Sequence, residues 1–208
     1  MKVLAILSEK GGAGKTSIAV NLAVAAEARG LPTVIFDLDP RANSVAWGAE
    51  RASVPDVVAA QAPQLSALLA QARDNAAALV ILDTPGNAGG VAEIAAAAAD
   101  ALLIPCRPYG PDLISVASSA ALARASGKPF FVVVNAAPSL GVETAEAVAV
   151  IEAAGVTVAP VVLHARKAFV ARFHEGLAAL DIEPNGKAAA EIRDLLAWLA
   201  ERIGLVTT

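Results

Sequence analysis

A glycine-rich loop set between a strand-like run and a helix-like run constrains this chain more than any other feature. It reads Ser8-Glu9-Lys10-Gly11-Gly12-Ala13-Gly14-Lys15-Thr16-Ser17. Residues 3–7 before it are uniformly apolar, and residues 16–29 after it follow a helical pattern. Strand, glycine loop and helix in this order are what a polyphosphate cradle needs. Glycines let the backbone turn its N–H groups inward around the phosphates. The helix N-terminus adds the positive end of its dipole. The expected nucleotide contacts are therefore Gly11, Gly12, Ala13, Gly14, Lys15, Thr16 and Ser17. Lys15 can reach the outer phosphates, and the Thr16 hydroxyl can ligate Mg²⁺. Lys10, ahead of the glycines, is a second lysine that an ordinary phosphate loop does not require.

The rest of the chain alternates apolar runs with helical patterns. Strands are expected at residues 3–7, 33–38, 79–82, 101–104 and 129–134, with one or two more within 156–162. Helices are expected near 64–76, 90–99, 112–126, 141–154 and 186–203. Near-continuous apolar strands separated by helices imply a parallel sheet covered on both faces. The expected fold is thus α/β, a three-layer, doubly wound and mostly parallel sheet flanked by helices. No linker, repeat or charge block divides the chain, so residues 1–208 are read as one P-loop domain. At 56% hydrophobic and 17% charged, the chain has the material for a core. No leader and no membrane span are expected, because the first strand runs straight into the loop and apolar stretches are interrupted by acids. A single cysteine, Cys106, excludes an internal disulfide, suits a reducing cytoplasm and reads as a small buried hydrophobe. The net charge of −4 excludes a generally basic nucleic-acid binder.

Two further motifs place carboxylates at strand ends. Val34-Ile35-Phe36-Asp37-Leu38-Asp39-Pro40-Arg41 puts Asp37 and Asp39 on one side of a buried strand's carboxyl end. Acids there can face Mg²⁺ or an attacking water, or can cap the following helix. Leu79-Val80-Ile81-Leu82-Asp83-Thr84-Pro85-Gly86 ends an apolar strand with Asp83, the Walker B arrangement for holding a metal. Pro85, Gly86, Gly89 and Gly90 then read as a switch loop.

Together and in this order, these motifs resemble the ParA/MinD family of deviant Walker A ATPases, most specifically in Lys10-Gly-Gly-Ala-Gly-Lys15-Thr16. The resemblance covers essentially the whole chain and is closest to the short plasmid-partition type. It implies an ATPase that uses ATP and Mg²⁺ and forms a homodimer with ATP sandwiched between subunits. Lys10 would then reach the partner's phosphates, Lys15 would bind in cis, and Asp39 would act on the attacking water. Thr16, Asp39 and Asp83 would hold the metal. The resemblance also implies nonspecific nucleoid DNA and a small ParB-like or cargo adaptor protein as partners, no membrane, and a cytoplasmic, nucleoid-associated location. Arg41 stands where the family usually has Gln, and Ser17 where it usually has a second Thr.

Asn135 would pair with the adenine edge by the same resemblance, or it caps a turn. Residues 160–164 would approach the purine from the other side. Residues 153–174 contain no acid but include Arg166, Lys167 and Arg172, the candidate DNA-backbone contacts. His164 and His174 lack zinc-ligand spacing and read as surface groups. The C-terminal helix carries Ile192, Leu195, Leu196, Leu199 and Ile203 at helical spacing and mixed charges on its other face, so it is expected to pack on the sheet rather than bind a membrane. An ATP-dependent amide synthase or reductase component of the same fold is the alternative, and a scaffold without activity a third. A reductase of this kind needs cluster cysteines that one Cys does not supply.

Overall fold

The computed structural model describes residues 1–86 and 89–205. Seven strands form one sheet: β1 (Lys2–Ile6), β2 (Thr33–Asp37), β3 (Asp56–Ala59), β4 (Leu79–Asp83), β5 (Ala101–Cys106), β6 (Phe130–Ala137) and β7 (Val158–His164). Their spatial order is β3-β2-β4-β1-β5-β6-β7, and every neighbouring pair is parallel. Helices α1 (Lys15–Glu27), α2 (Asn43–Glu50), α3 (Leu65–Asp74), α4 (Gly90–Ala98), α5 (Gly110–Ala125), α6 (Glu143–Ala153), α7 (Ala179–Ile182) and α8 (Lys187–Ile203) connect or follow them.

The sheet is buried on both faces because its strands alternate two sets of apolar side chains. In β1, Leu4 and Ile6 join the core on the α1/α8 face, while Val3 and Ala5 join the core on the α3–α6 face. β2 and β4 do the same with Ile35 against Phe36 and Ile81 against Val80 and Leu82. The expected three-layer, doubly wound fold is the one found. α1 runs deep between the sheet and α8, and all its residues from Ile18 to Ala26 are buried. α8 instead buries one stripe, Ile192, Leu195, Leu196, Leu199 and Ile203, as its spacing predicts.

Several boundaries differ from the expectation. α2 and β3 are found where no element was expected. β3 is an edge strand with Asp56, Val58 and Ala59 exposed, so it lacks the apolar run that marks its neighbours. Residues 156–162 yield one strand, β7, which starts at Val158 and shifts register against β6 between Val158 and Val162. Pro160 lies in that irregular stretch, where its missing N–H removes a ladder bond. β6 continues to Ala137, so Asn135 lies inside a strand rather than at its end.

The strand order reverses around β1, where β4 lies on one side and β5 on the other. Ligands bind at the carboxyl edge of such a sheet beside its switch point. The glycine loop, Asp37, Asp83 and the start of α5 all gather there.

Candidate functional site

The loop after β1 turns with Gly12 at φ 80° and Gly14 at φ 95°, a region closed to most side chains. A Cβ on Gly14 would stand 2.2 Å from Asn135 Nδ2. That amide donates to Ala13 O at 2.8 Å, so Asn135 braces the loop from β6. Gly86 presses on the loop from the other side: a Cβ there would meet Gly11 backbone at 3.1 Å. Asn87 and Ala88 of the expected switch loop lie outside the described residues.

A cavity of about 350 Å³ opens over this loop, lined by Gly11, Gly12, Gly14, Lys15, Thr16, Ser17, Asp39, Arg41, Asn43, Pro85 and Gly86. Lys15 is 7% exposed, and its ammonium lies 3.5 Å from Ser8 O. Burial pushes its pKa down, and Asp83 and Asp39 oppose that push. An anion entering the cavity would restore the charge balance of a half-desolvated cation. Arg41 is exposed at the rim and brings a further cation to the same cavity.

Asp83 is the most constrained acid of the site. Its Oδ2 accepts hydroxyl hydrogens from both Thr16 and Ser44, each at 2.7 Å. Its Oδ1 is buried and, among the described residues, has no hydrogen-bond partner. An orphaned carboxylate oxygen beside a threonine hydroxyl fits a hard cation or its bound water. Mg²⁺ is held by few carboxylates together with phosphate oxygens, and the Asp83 carboxylate beside the Thr16 hydroxyl offers donors of that kind.

Burial pushes the Asp83 carboxyl up to about 6 from 3.8, a gap worth up to ~3 kcal/mol. The folded state therefore binds this proton more tightly than the unfolded chain. The resulting stability is fully present below pH 3.8 and is lost as the pH rises through about 6. Asp83→Asn stays neutral throughout, and the Thr16 and Ser44 hydroxyls can accept from its amide. It is expected to raise the melting temperature of the nucleotide-free protein at pH 7.5 by about 5 °C and to change it little at pH 4. Equal effects at both pH values in a calorimetric melt would contradict this.

The two acids of the β2 motif divide their work. Asp37 is buried and accepts from the backbone N–H groups of Asp39 and Val45 at 3.0 and 3.1 Å, so it caps the start of α2. Asp39 is half-exposed and lines the cavity, and its carboxylate accepts only from Arg41 N among the described residues, at 3.0 Å. Asp39 is thus the acid of this pair left free to act on a ligand.

Lys10 is not part of the cavity lining. Its Nζ sits 2.5 Å from Asp112 Oδ2 in the first turn of α5. Arg107 Nε already bonds the other oxygen of Asp112 at 2.9 Å. Burial would raise the Asp112 carboxyl, but Arg107 and Lys10 together hold it below the ordinary range. In the single chain, then, Lys10 is paired with its own α5, whereas the family resemblance implies a reach to the partner's phosphates. Cys106 next to this pair is buried, and burial pushes its thiol up to about 12, so it acts as core rather than nucleophile.

The basic segment is more neutral than its sequence. Acids from outside residues 153–174 reach into it. Glu191 of α8 binds Arg166 at 2.6 and 2.8 Å and also His164 Nδ1 at 2.8 Å, which makes His164 a bonded, half-buried group. Arg172 pairs with Glu175, and His174 is exposed. Lys167 is exposed, and exposed Lys187 at the start of α8 lines the same shallow cavity. Arg166 and Arg172 are therefore held in ion pairs, whereas Lys167 and Lys187 make none among the described residues.

The same region is wired to the nucleotide-side elements. Ser17 Oγ lies 3.4 Å from Phe169 O, Trp47 Nε1 donates to Leu177 O at 3.3 Å, and Arg51 bonds both Gly176 O and Asp181 at 2.8 Å. Ser44, Asp112 and Arg107 were not singled out from sequence. Their partners lie 39, 102 and 5 residues away, and only for Arg107 and Asp112 is the pair local enough to be read as a helix-start acid beside a base.

The architecture matches known proteins along nearly the whole chain. Residues 4–206 match the family described as the CobQ/CobB/MinD/ParA nucleotide binding domain. Protein ParA of Rhizobium radiobacter is 33% identical over 115 residues, covering 54% of this chain and 51% of that one. The maintenance of carboxysome distribution protein A of Gloeobacter kilaueensis is 37% identical over 116 residues, 54% and 52% of the two chains. The matched stretch spans about half the length of these curated relatives. Among solved structures, the MinD cell division protein of Aquifex aeolicus superposes with a TM-score of 0.77 over 97% of this chain and 98% of its own, at 17% identity. The septum site-determining protein MinD of Pyrococcus horikoshii, solved with Mg-ADP, gives 0.78 over 98% and 97%, at 16% identity. This chain belongs to the CobQ/CobB/MinD/ParA family of nucleotide-binding domains.

Proposed function

We propose that this protein is an ATP-dependent positioning ATPase of the partition type. It binds ATP and Mg²⁺, dimerises around the nucleotide, holds nonspecific DNA as a dimer, and hydrolyses ATP slowly until a cargo-side adaptor protein stimulates it. The observation that carries this reading is the second lysine. Lys10 stands at the loop's entrance, outside the phosphate cavity, on a carboxylate that Arg107 already neutralises. A cation with a replaceable role in its own chain is free to serve another chain's phosphates.

The residues divide the chemistry as follows. The loop amides and Lys15 hold the polyphosphate. Thr16, Asp83 and Asp39 are the residues that would hold Mg²⁺, which when bound neutralises phosphoryl charge. Asp39 orients the attacking water and can accept its proton. Lys10, released from Asp112, offsets the charge that develops on the transferred phosphoryl of the facing subunit, as an arginine finger does in trans. The relatives named for ParA and for carboxysome distribution support a positioning role.

For DNA, the face around residues 164–187 has its free charge in Lys167 and Lys187. The test is retention on nonspecific DNA at moderate salt, with and without ATP and Mg²⁺. The wild type is expected to be retained only with nucleotide. Replacing both Lys167 and Lys187 with Glu is expected to lower retention at least ~10-fold and to flatten its salt dependence, while ATP binding stays unchanged. Nucleotide-independent retention, or wild-type retention by the double variant, would contradict this assignment. Small-molecule synthase chemistry would show no DNA retention at all.

A further inference from the structure

Ser44 is fully buried in the first turn of α2, yet it does not bond to its own helix. Ser115, Ser119 and Ser126 on α5 and just after it satisfy themselves on carbonyls three or four residues back. Ser44 instead reaches across to β4 and donates to Asp83 Oδ2. Thr16 donates to the same oxygen. One carboxylate oxygen offers two lone pairs, so Oδ2 is filled and Oδ1 is the acceptor that remains. Two donors on one oxygen also fix the rotation of the carboxylate plane, which a single donor does not.

We propose that Ser44 is a positioning residue for the metal: with Thr16 it pins Asp83 so that Oδ1 is the oxygen presented to Mg²⁺ or its bound water. The inference rests on the ATPase reading above. Thr16 can keep donating to Asp83 while its own lone pair ligates the metal, so the pinned arrangement survives loading. Ser44 also makes α2 part of the site. Val45 N–H beside it is held by Asp37 Oδ2, so the first turn of α2 is fastened to the ends of both β2 and β4. The Asp39–Arg41 turn is strung between β2 and that fastened helix start. Outer partners of a metal ligand of this kind typically contribute about 10-fold or more to metal affinity.

The test measures binding of a fluorescent ATP analogue, first in EDTA and then across a Mg²⁺ titration. For Ser44→Ala, affinity in EDTA is expected to stay within ~2-fold of wild type, while the Mg²⁺ concentration for half-maximal enhancement rises about 10-fold. Ser44→Thr keeps the hydroxyl and is expected to need a Mg²⁺ concentration close to that of wild type. An unchanged Mg²⁺ requirement in Ser44→Ala would overturn the proposal. So would an equal loss with and without Mg²⁺, or a Ser44→Thr protein as impaired as Ser44→Ala. A wild-type protein that binds no ATP analogue even with Mg²⁺ would instead remove the ATPase reading itself.

Discussion

Lys15→Ala is expected to lower affinity for a fluorescent ATP analogue by at least ~100-fold, about 2.7 kcal/mol. Lys15 is the buried cation of the cavity over the glycine loop and already bears part of the cost of desolvation, which burial imposes and Asp83 and Asp39 only partly offset. A charge-assisted bond to phosphate in such a place is among the strongest a side chain makes. Its loss also leaves Asp83 and Asp39 facing the incoming phosphates with Arg41, exposed at the rim, as the cavity's remaining cation. The fold should survive, because among the described residues Lys15 makes no ion pair and its ammonium bonds only Ser8 O, at a long 3.5 Å. Equilibrium titration checks this, and affinity within ~3-fold of wild type would remove Lys15 from the phosphate site.

Lys10→Ala is expected to act at a different step. Lys10 lines no part of the cavity, so the isolated chain should keep its nucleotide affinity within ~3-fold. What should disappear is ATP-dependent dimerisation and, with it, at least ~1,000-fold of the hydrolysis rate, the lower end of what a cation supplied in trans contributes. The Asp112 side chain remains neutralised by Arg107 in that variant, so the loss cannot be ascribed to an unpaired buried carboxylate. Turnover measured across protein concentrations separates the two lysines. Wild-type turnover should rise with concentration, and that of Lys10→Ala should stay low throughout. Undiminished, concentration-dependent turnover in Lys10→Ala would leave Lys10 a surface residue of the loop.

The parts of this site that were legible in the sequence are those built from neighbours in the chain. The loop from Lys10 to Ser17 and the strand ending in Asp83 carry their chemistry in consecutive residues, and the structure brings Thr16 and Asp83 to 2.7 Å. The parallel sheet was legible because both faces are covered, so its strands are apolar throughout. β3 escaped notice because an exposed edge strand has no such run. Asp112 escaped because a helix-start acid reads as a dipole partner, and nothing local points to a lysine 102 residues away. The basic character of residues 153–174 was real in sequence but incomplete, since Glu191 joins it only through the packing of α8 on β7. In sequence Asn135 reads as the end of its strand, whereas β6 continues past it and its amide braces the glycine loop.

The central proposal, resting on Lys10, is that a second copy of the chain completes the active site. Static light scattering on the purified protein, with a nonhydrolysable ATP analogue and Mg²⁺, tests that claim most directly. The account predicts 20.9 kDa without nucleotide and twice that mass with it, the shift being absent for Lys10→Ala. A wild-type mass that stays at 20.9 kDa while the analogue is demonstrably bound would contradict it.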